Sequence, residues 1–238
     1  MNCVLNGKQY FRWTNFVNPI TVTIGMKTKR APAKRPGRPR EFYIDRAIER
    51  AMEVFWRKGY EAASMPDLTC AMGISRPSLY AAFGNKQQLF RHVLDRYASV
   101  AATFITTALD KTTLKDVIDG IFRGAVRFLS ASNHPRGCLL IQGTPACGDP
   151  ADPVRREVIA RRLATETAIQ NRLQQARAQS DLPRTVNPAD FAKFISALIH
   201  GLSIQAANGA TRAQLLTLAQ MAIRACREHV ETDTKVTI

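Results

Sequence analysis

The sequence has no run of about 18 apolar residues, so no segment of it reads as a membrane span. It lacks the basic start and continuous apolar core of a secretory signal. Its five cysteines fall at scattered spacings, with no CxxC and no paired Cys/His spacing. That leaves neither a zinc module nor a disulfide framework to build on. The four histidines, His92, His134, His200 and His229, are dispersed. There is no GxSxG, no HExxH and no phosphate-cradling glycine loop. The three glycines of GCLLIQGTPACGD are not at the spacing of any phosphate loop. These absences argue against an enzyme, a resident cofactor or a metal site. Acid is also scarce: 34 Lys and Arg against 19 Asp and Glu leave a net charge of +15. Such an excess points to a polyanionic partner, nucleic acid before membrane.

The most structured message lies in SMPDLTCAMGISRPSLYAAF, residues 64–83. Ser64 with Asp67 three residues on is a helix-capping pair, and Pro66 falls in the first turn, where a missing N–H costs little. Leu68 and Ala71 face inward at i, i+3. Gly73 supplies the left-handed residue that ends the helix. Ser75 caps a second helix with Pro77 in its first turn, and Leu79 and Phe83 form its buried stripe. Arg76, Ser78 and Ala81 then point outward. Two short helices joined by a tight turn, with the start of the second left free, is the arrangement that enters a DNA major groove.

GISRPSLYAAFGNKQQLF, preceded by FWRKGYEAASMPDL, resembles the DNA-binding domain of the TetR/AcrR family of bacterial transcriptional regulators. The resemblance runs from about Gly37 to Tyr97; beyond it the match is in layout more than in motif. It implies an all-α fold: a three-helix helix-turn-helix domain, a long fourth helix, and a larger helical domain that binds an effector and dimerises. It further implies a homodimeric, sequence-specific regulator on double-stranded operator DNA, a repressor rather than an activator, acting in the cytoplasm. In the family a Lys at the place of Lys86 holds a backbone phosphate, and GRPRE recurs where Arg38 and Arg40 stand. Two departures matter. Tyr43 occupies the place of a capping Asp, so the first helix should start weakly. Ala81 and Ala82 replace larger aromatic or His residues, so no contact is carried over to them. The candidate DNA-contacting set is Arg38, Arg40, Ser64, Ser75, Arg76, Pro77, Ser78, Tyr80 and Lys86. The competing class is a basic, non-specific packaging protein, which would not need a large apolar second domain.

The expected divisions are a disordered basic arm over 1–40, the DNA-binding domain over 41–95 and the helical second domain over 96–238. Within 27–40 there are seven cations and no acid, and Pro32, Pro36 and Pro39 prevent a helix. Such an arm suits phosphates or the minor groove. Residues 1–25 match nothing downstream. Ile20, Val22 and Ile24 alternate as in a short strand. Either Met26 is the natural start, or these residues are a genuine extension. The first helix is expected over Ile44 to Lys58, ending at Gly59, with Phe55, Leu68, Leu79 and Phe83 as the small core. Asn85 caps a helix from Lys86 to Leu109.

Further on, amphipathic patterns mark helices over Thr113 to Leu129, Asp152 to Ser180, and two more capped by Asn187 and Thr211. The last two are apolar on more than one side and must bury a second face, as twin pairs do in a four-helix interface. The Gly- and Pro-rich break between Asn133 and Pro153 holds His134, Cys138, Cys147 and a short helical run from Cys138 to Ile141. Two readings of it stand. In one, the thiols sense an oxidant or a soft metal. In the other, Cys138 is a small buried hydrophobe, and an unidentified organic effector sits among Phe104, Phe122, Phe128 and the long helices.

Overall fold

The structure, a computed structural model, describes residues 40–143 and 152–232, with side chains from Tyr43 to Glu231. Arg38, the basic segment before it, the alternating residues at 20–24 and Cys147 lie outside that range. Among the described residues there are nine helices and no strand. They are α1 (Arg40–Ala62), α2 (Met65–Met72), α3 (Arg76–Phe83), α4 (Lys86–Leu109), α5 (Leu114–Leu129), α6 (Leu139–Gln142), α7 (Pro153–Ala178), α8 (Pro188–Ala207) and α9 (Arg212–Thr232).

Local capping fixes most of these boundaries where the sequence places them. Ser64 accepts from Asp67 N while the Asp67 carboxylate accepts from Ser64 N. Asn85 and Gln88 form the same reciprocal box at the start of α4. Thr113, Asp152, Asn187 and Thr211 cap α5, α7, α8 and α9. Each cap satisfies an amide that the helix itself cannot pair.

The start of α1 differs from expectation. It begins at Arg40, and Tyr43 lies inside it, 54% exposed, rather than at a weakened start. Nothing between Arg40 and Ile44 breaks a helix, and Pro39 disfavours helix in the residue before it, so the boundary moves up to the proline. Gly59 interrupts α1 as expected, with φ 76 and ψ 168, a backbone conformation that side-chain-bearing residues avoid. The chain then continues as one further helical turn to Ala62.

Two buried clusters share α4. The first gathers Phe55, Leu68, Leu79 and Phe83, the expected small core, with Leu89, Phe90, Val93, Leu94 and Tyr97 of α4. It also recruits Leu139 of α6 and Val154 and Val158 of α7, which the sequence does not reveal. The second is built by α5, α8 and α9 with the far ends of α4 and α7. At 24 residues, α4 is a rod of about 36 Å at ~1.5 Å per residue, and it runs from one cluster into the other. It packs closely on α5: a Cβ at Gly124 would stand 3.1 Å from Phe104 Cβ.

Two arginines near the C-terminal end of α7 hold neighbouring carbonyls. Arg172, only 8% exposed, donates to the carbonyls of Leu109, Lys111 and Thr112, which closes the C-terminus of α4. Arg177 donates to the carbonyls of Arg184 and Val186. No helix among the described residues is long and apolar enough to cross a membrane.

Candidate functional site

Gly73 closes α2 in the left-handed conformation, φ 68 and ψ 30, and donates to the Cys70 carbonyl. Three residues later α3 begins, so the two helices are joined by a short, tight turn. Leu79 and Phe83 bury α3 on one side. Arg76, Pro77, Ser78 and Tyr80 are exposed on the other, as are Ala81 and Ala82. α3 therefore presents the side chains of its first turn to solvent.

The side chains of that turn are ordered among themselves. Ser75 accepts from Ser78 N, and the two hydroxyls lie 2.8 Å apart. Arg76 donates to the Tyr80 hydroxyl at 3.3 Å, and its guanidinium stands 5.7 Å from the centre of that ring. Arg76 is thus held against Tyr80 one turn on. Ser64 is exposed too, but its hydroxyl donates to Asp67 at 2.7 Å. Its single O–H is engaged in the cap.

Lys86 lies in the first turn of α4. It donates to the Glu61 carbonyl at 3.2 Å and its ammonium sits 4.5 Å from the centre of the Tyr60 ring. Burial pushes its pKa down, with Glu61 pulling the other way. Two of the three ammonium hydrogens remain for another acceptor. Arg40 opens α1, with nothing further described of its side chain.

Asp67 also anchors α2 to α1 through an ion pair with Lys58 at 2.7 Å. The bonds from Lys58, then Ser64, hold the Asp67 carboxyl down at about 2. A depressed folded-state value stabilises above the ordinary aspartate range and stops doing so as pH falls through the folded one. Asp67→Asn is therefore expected to lower the thermal midpoint slightly near neutral pH, since the pair is solvent-exposed. The gap to the unsubstituted chain should close between about pH 4 and pH 2. Melting both proteins across that range checks it; a gap that stays constant would refute the assignment.

Behind the head, a cavity of about 400 Å³ opens between α4, α5, α6, α7 and α8. Phe104, Phe128 and Cys138, three of the candidate effector residues, line it. Phe122 does not: it is fully buried in the second cluster. The helical period put Phe122 and Phe128 on one inward side, and packing separates them. The wall also carries polar groups that the sequence reading passed over: Arg161 and Arg162 of α7, and Ser196, His200 and Ser203 of α8.

Cys138 meets the wall as a half-buried residue. The Tyr97 hydroxyl donates to its Sγ at 3.0 Å, and burial pushes the thiol pKa up. A thiol held protonated in this way is a poor nucleophile and a poor metal ligand. Burial likewise pushes the His134 pKa down, and its ring stacks on Trp56, with ring centres 4.8 Å apart, and meets Phe128 at a tilt, at 4.6 Å. Among the described residues, no three His, Cys, Asp or Glu side chains group as metal ligands would.

Trp56 reaches this junction from α1 and meets Tyr97 edge-on at 5.0 Å. The head touches α6 as well: Tyr60 N donates to the Gly143 carbonyl at 2.8 Å, just past the end of α6. α6 in turn is held from behind by Arg162, which donates to the Leu140 carbonyl. A short bonded path thus runs from the cavity wall through α6 to the end of α1.

Residues 47–93 match the family profile described as bacterial regulatory proteins of the tetR family, and 115–222 match that of the tetracyclin repressor-like C-terminal domain. The HTH-type transcriptional repressor ComR of Escherichia coli (strain K12) is 32% identical over 200 residues, 83% of this chain and 95% of its own. The HTH-type transcriptional repressor BdcR of the same organism is 32% identical over 208 residues, 87% of this chain and all of its own. A solved structure of a cysteine-substituted TetR family transcriptional regulator, CifR, in complex with 26-base-pair operator DNA is 35% identical. It superposes with a TM-score of 0.74, covering 79% of this chain and 99% of that one.

Proposed function

The chain belongs to the TetR family of bacterial regulatory proteins, and on that premise we propose that it is a dimeric repressor that binds an operator and is released by a small organic effector. The observation that carries the DNA-binding part is the exposed first turn of α3, where Arg76 and Ser78 stand free of the core on a helix fixed by Leu79 and Phe83. Arg76 or Ser78 reads a base edge. Tyr80, Lys86, and the arm residues Arg38 and Arg40 hold phosphates. The net charge of +15 supplies the long-range attraction. The protein acts on DNA in the bacterial cytoplasm, and a role in catalysis is not part of this reading.

Dimerisation is proposed through α8 and α9. Phe194, Ile204, Leu218 and Met221 are all exposed there, on two helices that pack side by side. Gly201, between Phe194 and Ile204, has nothing within 4 Å of where a Cβ would stand, so a partner helix can approach closely. Two heads on one dimer suit a near-palindrome with half-sites about 34–36 Å apart.

The effector would occupy the 400 Å³ cavity. From there it acts on α6, and through the Gly143 carbonyl on Tyr60 and α1. It also acts along α4, whose tilt sets the spacing of the two heads. A coupling of about 1–3 kcal/mol is enough for such a two-state switch.

The test is to footprint the protein on DNA upstream of its own gene and then measure binding to the protected site. Arg76→Ala should cost about 1–3 kcal/mol and relax preference at one position in each half-site. Tyr80→Phe should weaken specific and random DNA alike. Unchanged affinity and preference in Arg76→Ala would remove Arg76 from the reading head. Equal affinity of the wild type for specific and random DNA across salt concentrations would favour a packaging protein instead.

A further inference from the structure

The two neighbouring arginines on the cavity wall are in opposite situations. Arg161 is neutralised, by Asp95 at 2.6 Å and Glu157 at 2.8 Å. Arg162, one residue on, has no carboxylate among the described residues; its Nε and one terminal nitrogen donate to a single neutral acceptor, the Leu140 carbonyl. The other terminal nitrogen has no protein partner there. Arg155 adds a second positive charge nearby.

α8 faces this guanidinium with a polar row in an otherwise apolar wall: Ser196, His200 and Ser203, at i, i+4 and i+7. Ser203 is 1% exposed, and its hydroxyl has no hydrogen-bond partner among the described residues. A serine inside a helix ordinarily returns its hydroxyl to the carbonyl one turn back. Leaving it unmade in a buried place costs stability. His200 is held towards its neutral form by burial first and by Arg162 second, with Glu166 opposing. Most of the rest of the wall is alkyl and aromatic, including Leu94, Ile105 and Phe128, with the hydroxyls of Thr106 and Thr165 among it.

An unneutralised guanidinium and an unpaired hydroxyl on facing helices, at one side of an apolar chamber, is a binding arrangement for an acceptor-rich anionic head on an apolar body. We propose that the cavity takes an amphipathic carboxylate, with Arg162 as the charged anchor and Ser203 as a second donor. At about 30 Å³ per small group, roughly that of a water molecule in the liquid, 400 Å³ has room for a ligand of about a dozen non-hydrogen atoms. That is the size of a medium-chain alkanoate or an arylalkanoate. This rests on the effector cavity proposed above and adds the chemistry of what enters it.

The full chain would be titrated calorimetrically with decanoate, 1-decanol and decylamine, and with Nile red as a neutral dye for the chamber. Decanoate should bind one per chain, about tenfold or more tighter than decanol, as a charge-assisted pair would give, and decylamine should bind weakest. Arg162→Met should remove that advantage, so that decanoate binds no tighter than decanol to the same variant. Arg162→Lys, which keeps the charge and guards against a folding artefact, should retain part of it. Ser203→Ala should weaken decanoate by a smaller factor. Equal binding of decanoate and decanol, or an advantage that survives in Arg162→Met, would overturn the proposal while leaving the cavity reading standing, with Arg162 acting only as a strut for α6. Exclusion of all four probes would overturn the cavity reading itself, and this inference with it.

Discussion

A chain carrying Ile204→Glu and Met221→Glu is expected to sediment as a monomer, keep its helical circular dichroism, and bind its operator about 100- to 10,000-fold more weakly. The magnitude follows from what a dimer gains by presenting two heads at once, an avidity of about 10²–10⁴ over one head alone. Ile204 is 48% exposed and Met221 61% exposed, so neither supports the fold of a single chain. Changes at exposed positions away from caps and cores rarely shift stability by more than about 0.5 kcal/mol. Carboxylates facing each other across a two-fold interface, by contrast, would be buried as like charges. The fold should therefore survive while the assembly fails. A double variant that remains dimeric and keeps full operator affinity would place the interface elsewhere.

Trp56→Ala is expected to lower unfolding free energy by about 3–5 kcal/mol, the usual range for removing a large buried aromatic. That is a large share of the total of about 5–15 kcal/mol that holds a typical domain. Trp56 is 4% exposed and packs against Tyr97, Phe128 and His134, from α4, α5 and the segment after α5. Its loss would empty the junction between head and cavity. Trp56→Phe makes the sharper contrast. The indole Nε1 is buried without a hydrogen-bond partner among the described residues, so the ring matters here as packing and its N–H contributes no bond. Phenylalanine keeps much of the ring and removes the unpaired donor, and its cost should stay within about 1.5 kcal/mol, as for other swaps that keep a core hydrophobic. Denaturant melts of the two variants check this. Comparable losses in both would mean that the indole N–H is bonded after all.

Much of the head was legible because its information is local. A cap needs an oxygen and an amide two or three residues apart, so Ser64, Ser75 and Asn85 announce their helices whatever surrounds them. A left-handed helix end needs glycine, so Gly73 marks the turn. Leu79 and Phe83 one turn apart decide which way α3 faces, and hence that Arg76, Ser78 and Tyr80 face out. The apolar excess on α8 and α9 was equally plain, since no helix keeps two apolar sides wet without a cause.

What lies behind the head could not be read in the same way. Periodicity says that a face is buried but not against what, and so it could not tell Phe122, sealed in the second cluster, from Phe128, on the cavity wall. Nor could it distinguish Arg161 from Arg162. Their difference lies in Asp95, 66 residues before Arg161, and in the helical neighbour Glu157, both of which pair with Arg161 and not with Arg162. Trp56 and His134 are 78 positions apart and became stacked partners only when α1, α4 and α5 converged. By itself, then, the sequence determined the helices, their capped ends and the outward residues of α3, because those depend on backbone groups a few residues away. The cavity, the polarity of its wall and the bonded path through α6 were decided by tertiary structure, because charge pairing and enclosure depend on which distant side chains arrive at the same place.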